Sequence, residues 1–200
     1  MATPIDFYFD FSSPYGYFAA AKIDEIAARH KRGVNWRPFL LGAVFKITKM
    51  QPLVDYPLKG DYMKRDWQRF ARLVGVKFKP PEVFPFSALT ASRLFYWLNT
   101  KDPELARKFA KAVYQAAFGE GRDIAAIGAL TAIGEPLGIA AGDMVAASND
   151  QAIKDLLRQE IDAAIARGVF GSPFVVVDGE PFWGADRLDQ VDGWLATGGW

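Results

Sequence analysis

Residues 5–11 read Ile-Asp-Phe-Tyr-Phe-Asp-Phe, and Ser12-Ser13-Pro14 follows at once. Apolar side chains at 5, 7, 9 and 11 with aspartates at 6 and 10 form a period-2 pattern, which predicts a strand with one face in a core. From Tyr15 the spacing changes to threes and fours, through Tyr17, Phe18, Ala21, Ile23, Ile26 and Ala27, the mark of a helix. Ser13 is a natural N-cap, and Pro14 takes the first helical position, where a missing N–H costs nothing. His30-Lys31-Arg32-Gly33 ends the helix with cations and a glycine. A second apolar run at 34–41, interrupted by Pro38, reads as the next strand. The chain therefore begins β-α-β.

Residues 46–58 hold two prolines and little periodicity, so they read as a loop. A long helical stretch follows, with Met63, Trp67, Phe70 and Val74 in one stripe. Segments 87–98, 103–118, 124–137 and 151–167 carry helix spacing as well. Asp102 before Pro103-Glu104 is a strong start signal, and Asp150 is placed to cap the last of these helices. At the C-terminal end Phe174-Val-Val-Val177, Asp178-Gly179 and Glu180–Trp183 spell a hairpin with a type I′ turn, and Gly184-Ala185-Asp186 opens a short helix to 194. A helical block of about 100 residues is too long for a loop. It reads as an inserted helical subdomain (58–167) in an α/β domain made of 1–57 and 168–200.

Composition removes whole classes of function. The 200 residues contain no cysteine and one histidine, His30. That excludes structural disulfides, a CxxC redox pair, a thiolate metal site, a cysteine nucleophile and a histidine-rich metal cluster. With 24 Lys+Arg against 23 Asp+Glu, nothing argues for a nucleic-acid or anionic membrane surface. No stretch near 18 residues is free of charge, so no membrane span is expected. The start of the chain lacks the basic, apolar pattern of a signal peptide, so a soluble, cytoplasmic protein is expected.

Few constellations remain that carry chemistry. A strand ending in Ser-Ser-Pro at a helix start puts a hydroxyl beside unpaired backbone N–H groups, a place for a thiolate, phosphate or carboxylate. It is also what a plain N-cap looks like, although two serines leave one hydroxyl spare. Geometry argues against a histidine-assisted serine hydrolase: on one helix His30 would sit 17 residues from Ser13, about 25 Å at the helical rise. No Gly-x-Ser-x-Gly elbow is present either. Gly171-Ser172-Pro173 before a strand is a turn in which a cis bond is allowed, and its backbone is suited to pairing with an extended peptide. Asp186 reads as an N-cap or as the partner of a ligand ammonium. Lys59 reads as a solvated charge or as the partner of a carboxylate.

Together, Phe-Tyr-Phe-Asp-Phe-Ser-Ser-Pro-Tyr at 7–15, Lys-Gly-Asp-Tyr-Met at 59–63, Phe-Gly-Glu-Gly at 118–121, Phe-Gly-Ser-Pro at 170–173 and Phe-Trp-Gly-Ala-Asp-Arg-Leu at 182–188 resemble the 2-hydroxychromene-2-carboxylate isomerase family. That family is close to the kappa-class glutathione transferases, within the thioredoxin-like, DsbA-type fold. The resemblance runs from about residue 5 to 195. It implies an α/β thioredoxin-like fold with a large all-helical insertion, and reduced glutathione as cofactor. It implies further that Ser13 stands where a redox relative carries its first cysteine and serves the glutathione sulfur. By the same resemblance Ser172 and cis-Pro173 pair with the cysteinyl part, Asp186 beside Arg187 takes the γ-glutamyl ammonium, and Lys59 takes a carboxylate. A small aromatic substrate, isomerised by reversible thiolate addition to an enone, and a homodimer are implied in the same way. One departure stands out: where the kappa pattern has an asparagine before the lysine, this chain has Lys49 and Met50. Two other readings fit the same residues: a kappa-like transferase or peroxidase, and a thioredoxin fold that binds without catalysing.

Overall fold

A computed structural model describes residues 3–200. Four strands form one sheet in the order β2-β1-β3-β4. They are β1 (Ile5–Phe9), β2 (Val34–Pro38), β3 (Phe174–Val177) and β4 (Glu180–Trp183). β1 is parallel to β2, with Phe7 opposite Trp36, and antiparallel to β3, with Phe7 opposite Val175. The β3–β4 hairpin turns at Asp178 (φ 52°) and Gly179 (φ 99°), the two positive φ values a type I′ turn requires. The proline of β4, Pro181, lies in an edge strand, where it interrupts no ladder.

β1 lies between two neighbours, and its burial departs from the expected alternation. Phe7 and Phe9 are in the core, but Tyr8 on the other face and Asp10 just beyond the strand are buried too. The predicted first helix is also two: α1 (Pro14–Ala20) and α2 (Ile23–Arg29), broken at Ala21–Lys22. No glycine or proline marks the break. Gly16 to Ala20 are all buried, and the turn lets Ile23, Ile26 and Ala27 reach the core beside β2, so tertiary packing overrides the helical pattern.

The segment read as a loop from residue 46 is helical at its start. It contributes the end of α3 (Leu41–Thr48), which closes on Lys49 at φ 59°. Then come α4 (Lys59–Val74), α5 (Leu89–Asn99), α6 (Pro103–Tyr114), a π-helical turn (Gln115–Gly119), α7 (Ile127–Gly134), α8 (Ala141–Asn149) and α9 (Gln151–Ala166). Asp102 and Asp150 cap α6 and α9 as expected, through the N–H groups of Glu104, Leu105 and Ala152. A 3-10 turn (Ala185–Arg187) leads into α10 (Leu188–Thr197). No helix of the described residues is long and apolar enough to cross a membrane.

The helices and the sheet share one aromatic core. Phe9 packs edge-on to Trp36 of β2 and Phe95 of α5, and against Tyr114 of α6. Phe18 of α1 stacks on Phe70 of α4 at 5.4 Å. Polar ties bridge the same boundary. Arg37 reaches both Asp6 and Glu160 of α9, and the Tyr96 hydroxyl donates to the Pro38 carbonyl oxygen. Burial alone would push Asp6 up, but hydrogen bonds from Arg37, Asn35 and Arg167 hold its carboxyl below the usual aspartate range.

Gly16 sets the distance between α1 and α6. A Cβ built there would overlap the Tyr114 hydroxyl oxygen and lie 3.1 Å from Ser172 Oγ. Gly16→Ala should lower stability by about 1–3 kcal/mol, the range for overpacking a filled core. In a Tyr114→Phe background, which lacks the obstructing oxygen, the same substitution should cost less. Chemical denaturation of the four chains measures both, and equal costs in the two backgrounds would disprove this account of Gly16.

Candidate functional site

Four chain segments meet at the end of β1. Ser13 is the N-cap of α1, in extended conformation, and only 5% exposed. Its Oγ accepts the Gly16 N–H at 3.0 Å and donates to the Ser172 carbonyl oxygen at 3.0 Å. The Ser172–Pro173 bond is cis, as expected. Ser13, Ser172 and Pro173 are thus brought together across 159 residues of sequence.

Asp10, 3% exposed, organises this junction. Its N–H donates to Ser172 Oγ at 2.9 Å. Its carbonyl oxygen accepts the Ser13 N–H and the Tyr114 hydroxyl, each at 2.9 Å. Oδ1 accepts both the N–H and the hydroxyl of Ser12, at 2.7 and 2.8 Å, and Oδ2 accepts the Leu41 N–H at 2.7 Å. The second serine is therefore not spare, because its hydroxyl is spent on Asp10. Burial raises the Asp10 carboxyl above the usual aspartate value, against the lowering effect of the bonds from Ser12 and Leu41. Burial also holds the Tyr114 phenol well above its ordinary value, and the Asp10 charge adds to that.

The remaining expected residues ring α1 without bonding to Ser13. The turn carrying Asp186 and Arg187 lies against α1, with both side chains exposed and 3.8 Å apart. Asp186 caps nothing: the N-cap position of the turn is Gly184 (φ 109°) and that of α10 is Arg187, neither with a side-chain cap. Lys59 opens α4, which also packs on α1. Its Nζ lies 5.1 Å from the centre of the Tyr56 ring. Lys59, Met63, Asp66 and Phe70 recur at helical spacing. Met63 and Asp66 receive the Tyr15 hydroxyl, and Phe70 packs on the Tyr15 ring. Lys59 leads that face one turn earlier. Burial, then the bond to Asp66, keeps the Tyr15 phenol protonated far above its ordinary value.

His30 plays no part here. Its Nε2 is 2.7 Å from Asp192 of α10. Two surface clefts, of about 510 and 310 Å³, lie elsewhere, and none of the expected residues lines either. Among the described residues no group of His, Asp or Glu is placed to hold a metal.

A family model described as a DSBA-like thioredoxin domain matches residues 4–196. The chain belongs to that family. A 2-hydroxychromene-2-carboxylate isomerase of Sphingobium xenophagum is 30% identical over 197 residues, covering 98% of this chain and 99% of its own. Glutathione S-transferase kappa 2 of Caenorhabditis elegans is 27% identical, over 96% of this chain and 91% of its own. A solved structure of a 2-hydroxychromene-2-carboxylate isomerase superposes with a TM-score of 0.87 at 27% identity, covering 96% of this chain and 94% of that one. The DsbA-like thioredoxin fold is thereby established. The strand, the serine turn and the cis-proline turn of the sequence reading are all present in it. Asp10, Tyr114 and Gly16 were missed. The one signal for Asp10 was an aspartate two positions before the Ser-Ser-Pro turn, where the alternation assigned it to solvent.

The Asp10 shift fixes the sign of a pH effect. Between the ordinary aspartate value of 3.8 and its raised value, the folded chain keeps a proton that the unfolded chain has released. Stability from this group therefore falls as pH rises. Asp10→Asn removes that component, so the stability advantage of the wild-type chain over the variant should be smaller near pH 7 than near pH 4. Urea unfolding of both chains across that interval decides it, and an advantage that grows with pH would refute the assignment.

Proposed function

We propose that this protein is a glutathione-dependent isomerase acting on a small aromatic enone acid of the 2-hydroxychromene-2-carboxylate type. The observation that carries the reading is a buried serine hydroxyl bonded to the Ser172 carbonyl oxygen in a chain without cysteine. A site of this fold with a hydroxyl where a thiol would stand needs its sulfur from a ligand. The names of the isomerase and kappa-transferase relatives support glutathione as that ligand.

The residues present suit such a tripeptide. It has one ammonium, two carboxylates and an extended backbone. The chain offers Asp186 for the first, Lys59 and Arg187 for the second, and the Ser172 backbone for the third. When bound, glutathione supplies a thiolate able to add reversibly to a conjugated enone and turn a double bond into a rotatable single one. The chain's part is to favour the thiolate and hold it. A free thiol ionises near about 8.5, and a donated hydroxyl hydrogen bond lowers that value. The Ser13 hydroxyl has one proton, directed at the Ser172 carbonyl oxygen. Turning it to an incoming sulfur releases that carbonyl to accept a peptide N–H from the ligand, so one rotation serves both contacts. As the resemblance implies, the reading includes a homodimer.

The kappa-class relative supports a second reading, a transferase or peroxidase using the same thiolate. Product analysis separates the two: isomerisation leaves glutathione unconsumed, and conjugation or peroxide reduction uses it up. Thiolate absorbance of the protein–glutathione mixture should appear well below the free-thiol value of about 8.5. Ser13→Ala should lower turnover at least about tenfold, a loss of roughly 1.4 kcal/mol of transition-state stabilisation. Unchanged turnover in that variant would remove Ser13 from the chemistry.

A further inference from the structure

We infer that the Asp10 carboxylate is the positioning residue for Ser13, an inference that rests on the glutathione reading above. Ser13 has two side-chain bonds, to the Gly16 N–H and the Ser172 carbonyl oxygen. It gives up the second when its proton turns to a ligand. What then holds the residue is the bond its oxygen accepts from the Gly16 N–H, together with its backbone. The N–H groups of Ser12 and Ser13 both end on Asp10, at Oδ1 and at the carbonyl oxygen, and Pro14 has no N–H to add.

The carboxylate itself is fixed at both ends. Oδ1 grips Ser12 by two donors, and Oδ2 is held by the first residue of α3. A group with two acceptor oxygens and no donor is what this junction needs. Asparagine offers one oxygen and one NH₂. With its oxygen toward Ser12, the NH₂ opposes the Leu41 N–H, and in the reverse orientation it opposes the Ser12 N–H. Asp10→Asn therefore frees one of the two anchors while keeping the side chain's shape.

Charge works in the opposite direction, and this makes the test discriminating. Removing a negative charge close to a site that holds a thiolate favours the thiolate. A loss of glutathione binding in Asp10→Asn thus reports misplacement of the serine turn rather than electrostatics. If Asp10 acts through Ser13, its effect must also vanish when Ser13 has no hydroxyl, because coupled residues are non-additive and independent ones add.

The experiment is calorimetric titration of reduced glutathione into the wild-type chain, Asp10→Asn, Ser13→Ala and the double variant, near neutral pH. Thermal unfolding shows that each is folded. Asp10→Asn should weaken binding at least about tenfold, yet weaken it by less than about threefold in the Ser13→Ala background. Unchanged or tighter binding in Asp10→Asn overturns the inference, as does a full additional loss in the double variant. Absence of binding by the wild-type chain overturns the glutathione reading and this inference with it. Should Asp10→Asn show no cooperative unfolding, Ser12→Ala carries the same test. It deletes one of the three carboxylate bonds and should weaken binding about threefold alone and not at all beside Ser13→Ala, with additive losses again overturning the inference.

Discussion

A carboxylate to which no cation among the described residues is bonded, buried where β1 ends, ties the structure together. Asp10 uses its N–H, its carbonyl oxygen and both carboxylate oxygens, and together these bonds reach four parts of the fold: the cis-proline turn, the serine turn that opens α1, α6 and α3. A buried polar group left without a partner costs about 1–3 kcal/mol. The four segments can therefore adopt few arrangements other than the one that satisfies all of these atoms. The raised carboxyl value shows that the donors do not fully replace lost water. The fold tolerates that cost in order to keep two acceptors at one point.

The same junction links the helical block to the sheet. Tyr114 comes from α6, yet its hydroxyl ends on Asp10, and its ring packs on Phe9, Phe11 and Tyr17. Directly after it the helix widens into the π-helical turn, and Gln115 receives the Tyr17 hydroxyl. Such turns often occur where a helix must shift the facing of its side chains. Here one separates Tyr114, which serves the serine junction, from Phe118, which fills the aromatic cluster with Phe78, Phe84 and Phe86. Arg37, Glu160, Tyr96 and Arg167 repeat the attachment on the far side of β1. The helices are thus fastened to the strand that carries the serine turn.

What the sequence made legible is what local chemistry decides. The Asp178-Gly179 turn, the caps at Ser13, Asp102 and Asp150, and the cis-proline turn each depend on a residue acting within a few positions of itself. What it hid is decided by partners far away in the chain. The break at Ala21–Lys22 has no local cause. The burial of Asp10 comes from Ser172, Tyr114 and Leu41, between 31 and 162 residues distant. Asp186 looked like a cap because aspartate before a helix usually is one, but Gly184 opens the turn instead and the Asp186 carboxylate folds back over that glycine. The resemblance supplied the expected site residues that periodicity could not choose among.

These contrasts divide the candidate site into a rigid half and an adaptable half. Ser13, Ser172 and Asp10 are buried or half-buried and joined by hydrogen bonds. Lys59, Asp186 and Arg187 are exposed and approach from separate elements. Just before Lys59, Leu58 is 91% exposed with φ 67° and ψ −46°, and the Lys59 N–H closes on the Pro57 carbonyl oxygen at 2.7 Å. That is a γ-turn of the rare, strained kind. Strain of this sort persists only where surrounding structure fixes the chain. Gly60 supplies part of that constraint, since a Cβ there would run into the Val54 carbonyl oxygen. In the glutathione reading proposed above, the exposed Lys59, Asp186 and Arg187 are the part free to adapt to what is bound, while the serine junction, fixed by Asp10, keeps one geometry for the sulfur.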